Sequence, residues 1–459
     1  MRQRSSVRSV SAAYLAVRST PARAIVAAAA LAVVVAAGAR FEASGQEEQT
    51  TYLVKNLRSL GGTESRGNSI NSLGWIGGFS TMEGNLLRHA TLWLFGFPFD
   101  LDTLGGPNSS VAWSSAMNNR GLIAGISQTA EPEPLGQNWS CSAFFREQST
   151  GFICRGVVWE LGRIRALPVL DGGYNSFATA VNNRGEVTGW SENGVVDPEC
   201  HPDSTQVLQF RPVIWGPGRD QIREMPLLGD DTSGTVNAIN DRGQAVGISG
   251  ICDQAVGRHS ARHAVLWGNG TVRDIGNIGG EWWNTPTAIN QRGDIAGFLG
   301  LPDDPEGNRL QAFLWTNEGG MQPLGVLPGQ TPEHVRSEAW GINEGRQVVG
   351  VSCDADFNCR AFLWEDGVMK DLTMLAPDYD GILVQAKDIN DRGMITGLGF
   401  DPDSEASVAY VALPGRRGHR ATSSVAASRH NATRSVVLPD SVKREILHPL
   451  SSAHARLAR

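Results

Sequence analysis

The sequence predicts an all-β fold, a seven-bladed β-propeller of four-stranded blades, closed by an N-terminal strand that completes the last blade. Three observations support this prediction. One short phrase occurs seven times in the chain. Each copy spans about fifty residues and contains segments typical of four strands, which is the size of a propeller blade. A fragment near the front of the chain matches the closing segment that the last copy lacks.

The first segment of each copy is a hairpin with the pattern apolar-Asn-x-x-Gly-x-x-x-Gly. The repeated asparagines are Asn71, Asn118, Asn182, Asn240, Asn290, Asn343 and Asn390. A glycine stands seven positions after every one of them, and the residue two positions before is small in every copy except the last, which has Asp388. Asn and Gly suit tight turns, because Asn bonds its own turn and Gly tolerates positive φ. Small residues before the Asn suit a first strand that is crowded against a central axis.

The second segment is a short β-branched and aromatic run, suited to a buried strand. It ends in a tryptophan in six copies: Trp93, Trp159, Trp215, Trp267, Trp315 and Trp364. We expect this column in the core. The third segment is rich in Leu and Gly, as in 101–106, and marks the end of a unit. Its seventh instance is 54–62, so we expect residues 53–60 to pair outside the sheet of residues 386–413 and leave no open edge. An open solenoid would need capping repeats, which the sequence lacks.

The recurring phrases resemble the HAF repeats of bacterial extracellular proteins. Examples are Ala-Ile-Asn-Asp-Arg-Gly at 238–243 and His-Ala-Val-Leu-Trp at 263–267, and the resemblance covers residues 52–414. Other residues replace the histidine of the phrase in several copies: Arg155, Arg211, Gln311 and Arg360. The resemblance implies a secreted, propeller-like repeat protein. It implies no established activity, so no catalytic residue is transferred.

The two ends of the chain differ from the repeats. Residues 1–39 carry five arginines, then an apolar run at 24–37 and a small-residue cleavage site, which predicts a signal peptide. The alternative is an uncleaved anchor. Residues 40–51 form a short linker, and residues 415–459 are basic without a clear period, which predicts a disordered tail. We expect a secreted, extracellular protein without a membrane span after cleavage; a periplasmic or cell-surface location remains open.

The charge of the chain is unevenly distributed. The leader contributes +5 and the tail +7 to a whole-chain net charge of −7, which leaves −19 on residues 40–414. A body this acidic repels nucleic acid and favours basic partners or cations. Solubility is the simpler explanation of the same charge. We expect a monomer that does not bind nucleic acid.

The six cysteines all fall in loops between a hairpin and the following Trp strand. An even count in an exported chain indicates disulfides, and of fifteen pairings the loop positions favour Cys141–Cys154, Cys200–Cys252 and Cys353–Cys359. Metal ligation by these cysteines is the weaker alternative. Three oxygen-bearing side chains alternate at 354–358, as in a calcium loop, but the rest of such a loop is missing. We therefore predict no metal site and no cofactor.

Candidate ligand-binding residues lie in loops that a propeller gathers on one face. They are Trp113, Tyr174, Asp230, Asp231, Glu281, Trp282, Trp283, His334, Asp378 and Tyr379. Exposed aromatic rings beside acids suit sugar rings and their hydroxyl groups. The alternative for Trp282 and Trp283 is packing at a blade junction.

The function expected from these features is a non-enzymatic binding or interaction module whose partner is an extracellular glycan or protein. The sequence lacks the common catalytic motifs, so we assign no catalytic residue. The alternative is a glycoside hydrolase or lyase acting on extracellular polysaccharide through carboxylates such as Asp230, Asp231 and Glu281. A scaffold without a small ligand is the third reading, and fold alone does not choose among them.

Overall fold

The structure is a computed structural model that describes residues 50–137, 141, 144–145, 151–200, 206–252, 261–302, 304, 309–330, 336–415 and 437–451. These residues belong to one compact unit. The predicted signal peptide and most of the predicted linker lie outside the described residues. Within the described part of the chain, no helix has the length and apolar character needed to cross a membrane.

The strands form four-stranded antiparallel units, each a meander in chain order. Unit 1 consists of β2 (Gly61–Ile70), β3 (Ile76–Met82), β4 (Arg88–Leu94) and β5 (Phe97–Asp100). Unit 2 consists of β6 (Gly105–Ser110), β7 (Ile123–Pro132), β8 (Phe152–Glu160) and β9 (Arg163–Ala166). Unit 3 consists of β10 (Ser176–Val181), β11 (Val187–Val196), β12 (Leu208–Trp215) and β13 (Ile222–Glu224). Unit 4 consists of β14 (Ser233–Ile239), β15 (Ala245–Gly250), β16 (His263–Gly268) and β17 (Thr271–Asp274).

The second half of the chain continues the pattern. Unit 5 consists of β18 (Thr285–Ile289), β19 (Ile295–Gly300), β20 (Leu310–Thr316) and β21 (Gly320–Pro323). Unit 6 consists of β22 (Arg336–Ile342), β23 (Val348–Cys353), β24 (Cys359–Glu365) and β25 (Val368–Asp371). Unit 7 contains β26 (Ile382–Ile389), β27 (Ile395–Asp401) and β28 (Ala406–Pro414), and its fourth strand is β1 (Tyr52–Asn56).

The fourth strand of each unit lies earlier than the sequence predicted. β5 ends before the Leu- and Gly-rich segment 101–106, and that segment leads into β6 of the next unit. Gly105 has a φ of 96°, so the segment turns between units instead of extending as a strand. Likewise β1 covers Tyr52–Asn56 and not 53–60, and it pairs antiparallel with β28 from Tyr52↔Pro414 to Asn56↔Tyr410.

The glycine column of the repeat has a steric cause. A Cβ at Gly247 would overlap the carbonyl oxygen of Thr235, and a Cβ at Gly350 would overlap that of Glu338. In both units the register shifts beside this point, because the first strand bulges toward the second. A glycine in a strand interior commonly marks such a close backbone approach. The invariant spacing therefore reflects the bulge.

The tryptophan column lies in the core, as predicted. All six side chains are buried, and apolar clusters that hold them fill the spaces between consecutive units. Some of their indole nitrogens also bond backbone: Trp215 Nε1 donates to the carbonyl of Pro168 at 2.8 Å, and Trp267 Nε1 to that of Pro226 at 2.7 Å. Each acceptor lies in the segment that leads into the unit of its own Trp. The column thus packs unit against unit and fixes the connecting segment.

The repeated asparagines link consecutive units. The side-chain oxygen of Asn182 accepts the backbone N–H groups of Arg184 and Glu186, each at 3.0 Å, and so shapes the hairpin turn. Its Nδ2 donates to the carbonyl of Asn240 in the next unit at 3.2 Å. The same donation runs from Asn71, Asn118, Asn240, Asn290 and Asn343 to the next asparagine along the chain. Asn390 Nδ2 donates to the carbonyl of Asn71 at 2.9 Å. We call these bonds the asparagine ring.

First strands of consecutive units lie side by side, as with β10 beside β14 and β18 beside β22. Each unit then runs outward from its first strand to a short, partly exposed fourth strand. This arrangement of four-stranded antiparallel sheets around a common axis is a β-propeller.

A C-terminal helix corrects the prediction of a disordered tail. Residues Asp440–Ser451 form helix α1, and Leu438, Val442 and Ile446 are buried in the same apolar cluster as residues of the propeller. The three apolar residues recur every four positions, so they lie on one face of a helix. The short length of the pattern and the many basic residues around it hid this face in the sequence. Residues 416–436 and 452–459 lie outside the described residues.

Candidate functional site

The first strands present two sets of side chains with different surroundings. Residues four and two positions before the repeated Asn, such as Ala178 and Ala238, join the clusters between units. Residues five and three positions before it, such as Phe177 and Trp340, join the cluster that includes Trp113. These latter positions face the axis, and we call their occupants the axial residues. They are Arg66, Asn68, Trp113, Ser115, Phe177, Thr179, Thr235, Asn237, Thr285, Thr287, Glu338, Trp340, Gln385 and Lys387.

Trp113 joins several units at the axis. Its ring centroid lies 5.4 Å from that of Trp340 in unit 6 and 6.3 Å from that of Phe177 in unit 3. Its Nε1 donates to the carbonyl of Thr287 in unit 5 at 3.3 Å. The first strand of unit 2 ends at Ser110, and Ser115 then takes a φ of 54°. Trp113 therefore enters the axial space from the segment that follows this strand.

Several axial polar atoms have no hydrogen-bond partner among the described residues, although their side chains are more than nine-tenths buried. They are Arg66 Nε, Asn68 Oδ1, Thr235 Oγ1, Asn237 Oδ1, Thr285 Oγ1, Trp340 Nε1 and Gln385 Oε1. Buried polar groups in native proteins are nearly always bonded, because leaving one unpaired costs about 1–3 kcal/mol. The axial space therefore offers donors and acceptors to a polar occupant.

The axial residues also include ionisable groups. Lys387 Nζ lies 3.0 Å from the ring centroid of Trp340. Burial lowers the pKa of Lys387 well below its usual value, and the nearby Arg66 adds to this effect while Glu338 opposes it. Glu338 accepts from Arg336 Nε at 3.0 Å. The arrangement places an amine, a guanidinium and a paired carboxylate beside two indole rings.

Helix α1 lies over one end of the axial space. Leu438, Val442 and Ile446 share an apolar cluster with Trp113 and Trp340. We call the surface covered by α1 the channel mouth.

Polar contacts hold the first half of the helix segment at the channel mouth. The backbone N–H of Leu438 donates to Asn358 Oδ1 at 3.0 Å, and Lys443 Nζ donates to the carbonyl of Asp356 at 2.7 Å. Farther along, Arg88 Nη2 donates to the two carboxylate oxygens of Glu445 at 3.3 and 3.4 Å. The helix thus reaches from the loop after β23 in unit 6 to β4 in unit 1.

The calcium-like fragment at 354–358 has a different role in the structure. Asp354 Oδ1 accepts the backbone N–H groups of Asp356 and Asn358 at 3.0 and 2.8 Å. Asn358 Oδ1 accepts from Leu438, ahead of α1. These side chains shape the short loop between Cys353 and Cys359 and anchor the helix.

The predicted site residues differ in how deeply they are buried. Trp113 and Trp283 are only 4% and 2% exposed, so the prediction of exposed aromatic rings is wrong for these two. Trp282 is partly buried and packs against the same cluster. Their apolar surface is used in the interior, which was the alternative for Trp282 and Trp283. Tyr174 is 37% exposed, and its backbone N–H donates to Glu192.

The predicted acids differ in exposure and in their contacts. Asp230, Glu281 and Asp378 are exposed side chains in separate connections between units. Asp231 Oδ2 accepts from Ser249 Oγ at 2.6 Å, close to His263. Tyr379 Oη donates to Asn56 Oδ1 at 2.7 Å, which ties unit 7 to β1. His334 lies outside the described residues.

Sequence reasoning missed the axial residues except Trp113, which it placed in a loop, although a signal was present. When the copies are aligned on the repeated Asn, the positions four and two before it are mostly small or apolar. The positions five and three before it vary freely, from Arg66 and Glu338 to Thr285 and Lys387. A variable position within a repeated strand indicates a side chain that faces something other than the neighbouring copy.

All three predicted disulfides are confirmed: Cys141–Cys154 within unit 2, Cys200–Cys252 between units 3 and 4, and Cys353–Cys359 within unit 6. Cys200 and Cys252 also lie close to Asp197, as a metal-binding group would. Their sulfurs bond each other, and Asp197 accepts from Thr232 and Ser233 at 2.8 Å. The trio is therefore a structural contact.

No family model and no curated protein matches this chain. Solved propeller-containing structures match at low identity. The β-propeller domain of the Trilobed protease from Pyrococcus furiosus is 13% identical, with a TM-score of 0.38, over 69% of this chain and 82% of that one. An Aleuria aurantia lectin mutant in complex with Fucα1-6GlcNAc is 12% identical, with a TM-score of 0.31, over 62% and 81%. Trypanosoma rangeli sialidase in complex with sialic acid is 11% identical, with a TM-score of 0.36, over 78% and 58%.

Proposed function

We propose that this chain is an exported, closed seven-bladed propeller that acts as a non-enzymatic binding module for a hydroxyl-bearing ligand of the glycan class, held by those axial residues whose buried polar atoms have no partner among the described residues, together with the axial indole rings. Closure is supported by the pairing of β1 with β28 and by the bond from Asn390 to Asn71. Export is supported by the predicted signal peptide and by three disulfides, which persist in oxidising compartments. The resemblance to HAF repeats agrees with both.

One observation carries the proposed ligand class. Buried hydroxyl, amide and indole groups without partners surround the axis, and Trp113 and Trp340 stand among them. A sugar offers many hydroxyl groups for such atoms and an apolar ring face for an indole. A purely structural interior would pair or omit these polar groups, because an unpaired one destabilises the fold.

The axial groups suit binding better than hydrolysis. A glycoside hydrolase needs two carboxyl groups facing each other across the scissile bond. The axial residues contribute one carboxylate, Glu338, and Arg336 already pairs with it. A binding function uses the same groups without requiring a free acid.

The test uses two neighbouring axial threonines in the mature full-length chain. Thr285 Oγ1 has no partner among the described residues, whereas Thr287 Oγ1 donates to the carbonyl of Ala339 at 2.9 Å. We expect Thr285→Val to keep or raise stability and to weaken glycan binding by about tenfold, the worth of one good hydrogen bond. We expect Thr287→Val to lower stability by about 1 kcal/mol and leave affinity unchanged.

Binding is measured by calorimetry against a panel of neutral and acidic oligosaccharides, and stability by urea unfolding. A ligand whose affinity drops only with Thr285→Val supports the proposal. Equal affinity for both variants and the parent chain would contradict it, as would turnover of the bound glycan.

A further inference from the structure

The channel mouth contains a cationic pocket that belongs to unit 1 alone. The guanidinium of Arg88 lies 3.8 Å from the ring centroid of Phe79, and that of Arg66 lies 5.2 Å from the same ring. Both arginines are largely buried, with side-chain exposure of 12% for Arg88 and residue exposure of 8% for Arg66. At the axial position of Arg66 the other units have Trp, Phe, Thr, Glu or Gln. The pocket is therefore an addition to the repeat.

Two buried guanidinium groups beside each other require an anion. Burial lowers the pKa of Arg66 to about 10, and the nearby Glu445 acts in the opposite direction. Glu445 is the carboxylate that α1 brings to this pocket, where it is 6% exposed and accepts from Arg88. Its bonds to Arg88 are long, at 3.3 and 3.4 Å, and Arg66 Nε has no partner among the described residues. Arg88 also lies 3.9 Å from Glu64 Oε2 and donates to the carbonyl of Phe144 at 3.2 Å. Of the two carboxylates in the pocket, Glu64 belongs to the repeat and Glu445 is brought by the helix.

Apart from Glu445, the side chains that α1 buries are apolar, whereas the axial atoms at the channel mouth include polar ones. These apolar side chains of the helix are Val442 and Ile446, and Leu438 just ahead of the helix is apolar as well. The axial atoms beyond it include the unpartnered Oε1 of Gln385 and Nε1 of Trp340. A helix that covers polar groups without bonding them leaves their interaction energy available to another occupant.

We propose that Arg66, Phe79 and Arg88 form a carboxylate subsite, and that α1 occupies it in cis through Glu445 until an acidic glycan takes its place. This inference rests on the proposed function and names its ligand as a uronate-bearing saccharide. The ligand's carboxylate replaces Glu445 on the arginines, and its hydroxyl groups reach the axial residues. Arginine suits this role because its fork of N–H groups matches a carboxylate.

The probes are a hexameric oligogalacturonide and its carboxyl-reduced neutral counterpart. Both are titrated into the full mature chain and into Glu445→Gln, with Arg444→Gln as the control, because Arg444 is exposed on the same helix. Removing the competing charge in Glu445→Gln raises affinity for the acidic probe by about tenfold, and Arg444→Gln leaves it unchanged. Arg88→Met lowers affinity for the acidic probe by tenfold or more and spares the neutral one. Arg88→Lys, which keeps the charge, gives a smaller loss.

Hydrogen exchange of residues 437–446 reports the helix directly. Exchange there rises when the acidic probe binds the parent chain, and it is already raised in Glu445→Gln. Unchanged exchange on saturation with the acidic probe, or equal affinity of Arg88→Met and the parent chain, overturns the carboxylate subsite. If both probes bind equally and Thr285→Val weakens both, the subsite is wrong while the proposed function stands. If neither probe binds the parent chain or Glu445→Gln, both proposals fail.

Discussion

Asp388 shows how one residue departs from the repeat for a physical reason. The other units have a small residue at its position, but the carboxylate of Asp388 accepts the backbone N–H of Ile70 at 2.9 Å and that of Ser115 at 3.3 Å. These donors belong to units 1 and 2, so one side chain of unit 7 bonds two other units. Ser115 is also the residue whose positive φ interrupts the first strand of unit 2. Asp388 thus stabilises the break that admits Trp113 to the axis.

Asp388→Asn is expected to change the pH dependence of stability. Burial raises the pKa of Asp388 from 3.8 to about 6, so between these values the folded chain keeps a proton that the unfolded chain releases. The free energy of unfolding of the parent chain therefore falls as pH rises from about 4 to 6, and Asn removes this contribution. The difference between parent and variant should change by up to about 3 kcal/mol across that window and stay flat above it.

Urea unfolding at pH values between 3.5 and 8, in steps of about half a pH unit, measures this difference. Asp388→Ala serves as the control, because it loses the acceptor at every pH and leaves the N–H of Ile70 unpaired. A parent–Asn difference that is independent of pH would show that Asp388 titrates as an ordinary carboxyl group.

The histidine position of the repeat, occupied by His89 in unit 1 and by Arg360 in unit 6, supplies a hydrogen-bond donor. His89 Nδ1 lies 2.9 Å from a carboxylate oxygen of Asp100, and Arg360 Nη1 donates to Asp371 at the same distance. In both units the pair joins the third strand to the end of the fourth. The position requires a hydrogen-bond donor, so arginine replaces histidine, and Arg155 and Gln311 there donate to the carbonyls of Leu167 and Gly325.

At the scale of the element, strands were far more predictable than the helix. The turn chemistry of Asn and Gly and the Trp column located three strands of each unit, because each signal repeats seven or six times. The fourth strands were placed too late, since they are short and partly exposed and carry little pattern of their own, as in β13. Helix α1 occurs once and is stabilised by tertiary packing of Leu438, Val442 and Ile446, which no local pattern reports.

Disulfides at different positions should differ in their effect on stability. Cys200–Cys252 spans 52 residues and joins two units, whereas Cys353–Cys359 spans 6 residues within one loop. Because a longer closed loop restricts the unfolded chain more, removing the first by paired Cys→Ser changes should cost about 4 kcal/mol and removing the second about 2 kcal/mol. Urea unfolding of both double variants measures the difference.

The reverse order of these two costs would contradict the loop-length argument. It would indicate that the Cys353–Cys359 loop contributes mainly through α1, which it anchors at Asn358 and Asp356. Hydrogen exchange of the helix in the same variants separates the two effects.

At the scale of the whole molecule, the proposed closure predicts that damage to β1 spreads to both ends of the ring. Tyr52 is 4% exposed, packs in a cluster with Tyr410 and Leu375, and donates its backbone N–H to the carbonyl of Leu375 at 2.7 Å. Tyr52→Ala should cost about 3–5 kcal/mol through the lost packing. It should also raise amide exchange in β28 and in β2 together, because β28 pairs with β1 and contacts β2.

Leu53→Ala is the matched control, since Leu53 is 52% exposed on the same strand and should cost little. Exchange that rises in β1 alone after Tyr52→Ala would mean that the strand is an appendage and that the units do not depend on it.

The site was less predictable than the fold because it depends on residues that differ between the copies. Repeats report what the copies share, whereas a ligand site in a ring is built from what they do not share, such as Arg66, Glu338 and Lys387. The predicted loop residues were also singular, but Trp283 is buried in an apolar cluster, and Trp113 is buried at the axis instead of exposed in a loop. A single sequence does not show which singular residues converge, because that depends on strands far apart in the chain.

The asparagine ring has a consequence for how such a molecule arises. At every step the donor is an asparagine side chain and the acceptor is a main-chain carbonyl, which any residue provides. The acceptor residue of this bond can therefore change without loss of the bond. The position after the asparagine is more demanding, because its side chain accepts a backbone N–H from the preceding unit, as Asp241 Oδ1 does from Asn183 at 2.7 Å. Gene duplication can add or exchange whole units while this common joint is kept, and the axial positions of each copy are then free to diverge under separate selection.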